Sequence, residues 1–171
     1  MFRKIRPNNL DKINRLQSMK KMPIGAIGER DSRINKKNYI QVICIARLLK
    51  QKGVIEFIEV AKKFKDQLNK ETVKFLLIGE IETHHYDKID KDYILQAEAG
   101  GFINRIPWTD DVKTYLHQSD ILFLHSYREG GPRVIIEAAA SEIPTVGSDA
   151  IGVRDLIINN KTLKLLLNNF H

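Results

Sequence analysis

Two carboxylates beside a glycine-broken turn are the residues best placed to do chemistry. Glu129 and Glu137 lie in the stretch His125 to Ala140, which reads H-S-Y-R-E-G-G-P-R-V-I-I-E-A-A-A, with seven residues between them. An apolar run, Ile121-Leu122-Phe123-Leu124, comes just before and has the length and content of a buried strand. Gly130-Gly131 breaks the run, and Pro132 suits the first position of a helix, where its missing N–H costs nothing. The pattern predicts a helix from Pro132 to Ala140. Its first free N–H groups, near Gly131 to Val134, would point past the end of the strand. A helix start of this kind binds phosphate, and glycine lets a ligand approach the backbone. The loop carboxylate and the helix carboxylate can then face one ligand held at that N-terminus.

A second pair is cationic. Arg47 and Lys52 stand five apart in A-R-L-L-K-Q-K-G, expected at a strand end and a helix start. A guanidinium can clamp phosphate oxygens at two points, and an ammonium adds a point charge. Other candidates carry less. Asp90-Lys91-Asp92 has the spacing of a metal-binding Asp-x-Asp but falls on an expected exposed helix. Glu82, His84, His85 and Asp87 could ligate zinc by type alone, and adjacent histidines in a polar loop are more often solvated. His117 and His125 have no Ser or Cys partner arranged for a triad, although His125, at a strand end, could line a pocket.

The elements that must position these residues alternate. Ile40 to Ala46 is an apolar run suited to a parallel strand covered on both faces. Lys52-Gly53 is expected to open a helix in which Val54, Phe57, Ile58, Ala61, Phe64 and Leu68 repeat at helical spacing. Further strands are expected at Val73 to Ile78, Phe102 to Ile106, Ile121 to Leu124 and Pro144-Thr145-Val146. Helices are expected near Asp87 to Ala99, Asp110 to Gln118 and from Val153 to Ile158, and Leu163 to Leu167 suits an edge strand or a helix. Alternation of this kind predicts an α/β fold with a doubly wound parallel sheet, Rossmann-like, in one domain. Ligands bind such sheets outside the carboxyl ends of the strands. Arg47, Gly79-Glu80, Ile106-Pro107-Trp108, Tyr127 to Gly131 and Gly147-Ser148 should therefore share one rim.

Composition bounds the rest. The 171 residues suit a single domain, and 43% hydrophobic content is that of a globular protein. One cysteine, Cys44, excludes an internal disulfide, and its apolar surroundings suggest a buried thiol. No run approaches the roughly 20 apolar residues that span a bilayer, and no signal peptide is evident, so a cytoplasmic location is expected. The net charge of +7 is uneven: residues 1 to 39 hold eleven Lys/Arg against three Asp/Glu, the remainder seventeen against eighteen. Residues 1–38 read as a basic leader or linker remnant, with one short amphipathic helix through Leu10, Ile13, Leu16 and Met19. Residues 39–171 read as the domain. Such a leader is a solvated segment or a contact for nucleic acid or anionic lipid.

The block S-D-I-L-F-L-H-S-Y-R-E-G-G-P-R-V-I-I-E-A, with A-R-L-L-K-Q-K-G, F-L-L-I-G and I-P-T-V-G-S, closely resembles the C-terminal, nucleotide-sugar-binding domain of family-4 retaining glycosyltransferases of the GT-B fold. The resemblance covers roughly Tyr39 to Ile158. It implies a transferase that moves a sugar from a nucleotide diphosphate sugar, with retained configuration and no obligatory metal or other cofactor. It also implies roles. Arg47, Lys52 and Glu129 would be catalytic, the two cations gripping the diphosphate and Glu129 holding the transferred sugar. Glu137 would accept hydrogen bonds from the ribose, and the Gly130 and Gly131 amides would meet sugar or diphosphate. Arg133 and Tyr127 would stand in or behind the site. Trp108 would stack on the base or pack on the core. Ala46 replaces the glycine usual in the family's G-R-L-x-x-x-K-G. The E-G-x-P-R-V form resembles bacterial enzymes that build lipid-linked surface polysaccharides, often from UDP-sugars.

Expected partners are the nucleotide sugar, an acceptor-binding N-terminal domain or subunit, and a lipid-linked acceptor met at the inner face of a membrane. Nothing in the chain is long enough to be that acceptor domain, and family members generally continue beyond I-G-V-R-D-L-I-I-N. The chain is thus expected to be a donor-binding half, truncated at its C-terminus and incomplete for catalysis by itself; fragment, split subunit and degenerate remnant stay open. Two other readings stay open as well: a non-catalytic α/β module whose leader binds nucleic acid or membrane, and a nucleotide-sugar isomerase of the same fold.

Overall fold

The computed structural model describes residues 37–67, 73–156 and 163–166. The expected helix through Leu10 to Met19 lies outside them, as do Leu68, Ile157, Ile158 and Leu167. Six strands form one sheet: β1 (Ile40–Ile45), β2 (Val73–Ile78), β3 (Asn104–Ile106), β4 (Ile121–Leu124), β5 (Thr145–Ser148) and β6 (Leu163–Leu166). Their order is β3-β2-β1-β4-β5-β6, and every pairing is parallel. Among the described residues four helices intervene: α1 (Val54–Gln67), α2 (Lys91–Ala99), α3 (Val112–His117) and α4 (Arg133–Ala140). This is the doubly wound parallel sheet expected from the alternating pattern.

Strand side chains alternate between the faces, and both faces are covered. Val42, Cys44, Phe75 and Leu77 pack with Phe57, Ile58 and Ala61 of α1 and Ile94 and Ala97 of α2. Ile43, Ile45, Leu76, Ile78, Leu122 and Leu124 pack with Leu116 of α3 and Ile135 and Ala138 of α4. Double burial explains why the strands read as unbroken apolar runs. Phe57 anchors the first face, its ring 5.5 Å from those of both Phe75 and Phe123.

The strand order puts β1 beside β4, with Val42 opposite Ile121 and Ile43 opposite Leu122. The chain winds outward through β2 and β3 on one side of β1, and through β5 and β6 on the other side of β4. The helices that follow β1 and β4 therefore pack on opposite faces of the sheet, and such a switch point opens a crevice at the strands' carboxyl ends.

Several boundaries differ from the sequence expectation. Lys50–Lys52 is a 3-10 turn closed by Gly53 in the left-handed region (φ 70°), so α1 starts at Val54. The α2 helix starts at Lys91 rather than near Asp87, because the Asp90 side chain accepts the Asp92 N–H and caps it. Pro132 is the N-cap of α4, in extended geometry, and Arg133 takes the first helical position. The third strand is shorter than expected, and β5 runs through Ser148, so Gly147-Ser148 lie within a strand instead of following one. Residues 151–156 form turns, not a helix, around Gly152 at φ 85°. β6 settles Leu163 to Leu166 as a strand, paired with β5.

Candidate functional site

Arg47 follows β1 directly, while the chain continues into the Lys50–Lys52 turn. That turn is pressed against the loop after β4. Gln51 O accepts hydrogen bonds from the Tyr127 N–H (2.9 Å) and the Ser126 hydroxyl (3.2 Å). Gly53 sits so close that a Cβ there would lie 2.1 Å from the His125 carbonyl oxygen. Only glycine combines that approach with a left-handed backbone. The loop's far end is fixed in the same manner. Glu129 N–H donates to Ile151 O at 3.1 Å, and a Cβ on Gly152 would lie 2.0 Å from Glu129 O.

The result is an ion pair across the switch point: Lys52 Nζ lies 2.8 Å from Glu129 Oε1, both side chains mostly shielded from solvent. The pair lines a cleft of about 580 Å³. Arg47, Trp108, Gly131, Arg133 and Glu137 line the same cleft. Seven of the nine residues singled out in the sequence thus converge on one space. Arg133 and Glu137 stand four apart on α4, a spacing that puts both on one helix face. The apolar floor comes from Ile45, Ala46 and Leu124 at the strand ends. Sequence reasoning missed Asp110 and Val112, which line the cleft from the loop and helix after β3. A lone acid in a loop carries no periodic signal; only its place after a strand pointed to it.

Two expected members stand elsewhere. Tyr127 does not line the cleft: its ring meets His125 edge-on, and its hydroxyl donates to Glu56 Oε1 on α1. That hydrogen bond, with partial burial, pushes the phenol up to about 12. Gly130 is exposed at the loop tip, outside the cleft wall. His125 is buried, stacked on Phe123, and is not part of the cleft wall either. Trp108 is a little over half exposed, so its ring stands at the cleft rather than in the core.

The loop after β2 is used structurally. Glu82 Oε1 accepts from Arg47 Nε at 2.9 Å, His85 Nδ1 accepts from Asp87 N–H, and Asp87 Oδ2 accepts from Gln51 N–H. Among the described residues no three His, Cys, Asp or Glu side chains gather as a metal-binding group. No helix among them is long and apolar enough to cross a membrane.

The cleft carries three cations, Arg47, Lys52 and Arg133, and three carboxylates, Asp110, Glu129 and Glu137. Such a wall can neutralise an anionic group and accept hydrogen bonds from hydroxyls at the same time.

Comparison with known proteins places this arrangement. The chain matches the family described as glycosyl transferases group 1 over residues 28–168. It is 34% identical over 118 residues to the N,N'-diacetylbacillosaminyl-diphospho-undecaprenol alpha-1,3-N-acetylgalactosaminyltransferase of Campylobacter jejuni, a match covering 69% of this chain and 29% of that protein. It is 30% identical over 120 residues to the capsular polysaccharide biosynthesis glycosyltransferase CapM of Staphylococcus aureus, covering 69% and 30%. Its structure resembles that of a variant of S. aureus TarM, solved with fondaparinux, alpha-GlcNAc-glycerol and UDP, at TM-score 0.63 and 26% identity, covering 78% of this chain and 26% of that one. The chain thus matches about three-tenths of the length of the two enzymes. With the family match extending over most of its length, the chain belongs to the group 1 glycosyl transferases and has the fold of a GT-B C-terminal domain.

Proposed function

We propose that this domain binds the nucleotide diphosphate sugar, a UDP-sugar by preference, from which a retaining glycosyltransferase moves the sugar to an acceptor. The observation that carries the proposal is the balance of charge in one cleft: Arg47, Lys52 and Arg133 against Asp110, Glu129 and Glu137. A bare polyanion would be repelled by three carboxylates, and a neutral carbohydrate has no use for three cations. A sugar diphosphate has both an anionic centre and flanking hydroxyls, so it satisfies both sets.

In this reading Arg47, Lys52 and the first N–H groups of α4 neutralise the diphosphate, whose charge grows as the bond to the anomeric carbon breaks. Glu137 accepts hydrogen bonds from the ribose. Glu129, released from Lys52, accepts them from the transferred sugar. Gly131 allows the backbone close to the ligand, Arg133 adds charge, and Trp108 stacks on the base. Tyr127 acts from behind, fixing the Glu129 loop to α1. No metal is required, because the cations and the helix start supply the neutralising charge. The acceptor belongs to bacterial surface polysaccharide or lipid-linked glycan synthesis, in keeping with the similarity to CapM and to an enzyme whose name contains a diphospho-undecaprenol carrier. An acceptor-binding domain or subunit completes the enzyme, which works at the cytoplasmic face of the membrane.

Calorimetric titration of the 171-residue chain with UDP, GDP, ADP and their glucose derivatives tests the proposal. Binding of one nucleotide series, tighter with the sugar attached, is expected; binding of polyanions such as heparin or RNA without any nucleotide affinity overturns it.

A further inference from the structure

The segment between β2 and α2, residues 79–90, supports two of the cleft's three cations, Arg47 and Lys52, from outside it. Asp87 accepts two backbone N–H groups of the Lys50–Lys52 turn, its carbonyl oxygen from Lys50 at 3.0 Å and its Oδ2 from Gln51 at 2.8 Å. Leu49 and Lys88 form an antiparallel bridge, and Ile89 is buried in the core. The segment is thereby fixed to the turn that presents Lys52. From this fixed support Glu82 reaches Arg47, Oε1 to Nε, at 2.9 Å. Glu82 is not part of the cleft wall, whereas Arg47 is.

The atom that Glu82 engages decides the sense of this contact. A guanidinium has five N–H donors, one on Nε and four on its two amino ends. Glu82 takes Nε, and among the described residues the amino groups make no hydrogen bond to protein. With Nε held, the two amino ends can still grip an anion end-on. A carboxylate that holds Nε fixes the bearing of the planar fork and leaves its ends for a ligand, which reduces the freedom lost on binding. Arg47 is exposed, at 58%, and Glu82 partly so, at 27%, so the pair contributes little to fold stability.

We infer that Glu82 is a positioning residue: it orients Arg47 for the diphosphate of the ligand and touches no ligand itself. This inference rests on the proposed reading of the cleft. Calorimetry with UDP on the full 171-residue chain tests it, using Glu82→Ala, Glu82→Gln, Arg47→Ala and the Glu82→Ala/Arg47→Ala double variant. Glu82→Ala should weaken UDP binding about tenfold, the low end of the worth of a hydrogen bond to a charged group. Glu82→Gln keeps an oxygen that accepts from Nε, and its affinity should stay close to that of the parent chain. In the Arg47→Ala background, Glu82→Ala should have no further effect. Unchanged or tighter binding by Glu82→Ala overturns the inference, as does an equal loss in both backgrounds, which would mark a general disturbance of the loop. Failure of the parent chain to bind any of the nucleotides overturns the cleft reading itself, and the inference falls with it.

Discussion

Lys52 Nζ and Glu129 Oε1, 77 positions apart in sequence, lie 2.8 Å apart across the switch point of the sheet. A cation proposed for the diphosphate and a carboxylate proposed for the sugar thus neutralise each other. A sugar nucleotide would separate them and give each a partner of its own. Glu129→Gln should leave UDP binding intact or tighter, since Lys52 is released, and should abolish the added affinity that an attached sugar gives. Lys52→Ala should weaken both ligands by about 1.5–3 kcal/mol, the worth of a hydrogen bond to a charged group. Parallel titrations with UDP and UDP-glucose distinguish the two effects, and equal losses for both ligands in Glu129→Gln would remove Glu129 from the sugar end.

The loop that carries Glu129 is set by glycines rather than by its own sequence. At Gly152 the backbone is left-handed and a Cβ would lie 2.0 Å from the Glu129 carbonyl oxygen; at Gly53 the corresponding distance to His125 O is 2.1 Å. At Gly130 a Cβ would meet nothing within 4 Å. Gly152→Ala and Gly53→Ala should each cost about 2 kcal/mol or more, from left-handed strain and a displaced carbonyl together. Gly130→Ala should change stability by less than about 0.5 kcal/mol, as exposed positions do. Urea denaturation of the three variants gives the ranking, and a Gly130→Ala chain as unstable as Gly152→Ala would contradict the loop geometry.

These glycines also show where sequence reading reached its limit. Val73–Ile78 and Ile121–Leu124 were legible to the residue because strands buried on both faces have no choice but to be apolar. Arg47, Lys52, Glu129 and Glu137 were legible because strand ends and a helix start place them on one rim. The start of α2 was not, because residues 87 to 89 hold the Lys50–Lys52 turn instead of extending the helix. The apolar content of Val153 to Ile158 suits a helix, yet residues 153–156 form turns; the conformation of Gly152 has no trace in that periodicity. For Tyr127 the resemblance leaves open a place in or behind the site; a residue two positions from Glu129 along a loop need not face the same way, and its hydroxyl donates to Glu56. Glu82 carried no signal for its role, because its partner Arg47 is 35 positions away.

Cys44 provides a test of the core that needs no ligand. Its side chain is fully buried in β1, and burial pushes the thiol from 9.0 up to about 12. The unfolded chain releases this proton near pH 9 while the folded chain keeps it until about 12. The contribution is therefore complete below pH 9 and is lost as pH rises toward 12, by about 1.4 kcal/mol per pH unit in between. Cys44→Ala should be less alkali-sensitive by that slope, whatever constant offset its small cavity adds. Tyr127, also raised, is common to both chains and cancels in the comparison. Parallel slopes for the two chains above pH 9 would show that the thiol is accessible to water.

The cleft brings Arg47, Lys52 and Arg133 together at the start of α4, whose first N–H groups carry partial positive charge. A metal-dependent site would instead use paired carboxylates close to the phosphates. Asp90, the sequence's nearest approach to such a pair with Asp92, is occupied in capping α2. UDP binding should therefore be unchanged by EDTA and by added Mg²⁺, and should weaken steadily with salt, because the cleft is open enough for ions to screen it. Arg47→Ala should reduce affinity by about 1.5–3 kcal/mol and flatten the salt dependence with it, as expected when one charge-assisted contact is lost. Affinity that appears only with Mg²⁺ and persists in Arg47→Ala would shift the neutralising role from the cations to a metal held by Asp110, Glu129 or Glu137, and the charge assignments of the cleft would have to be reversed.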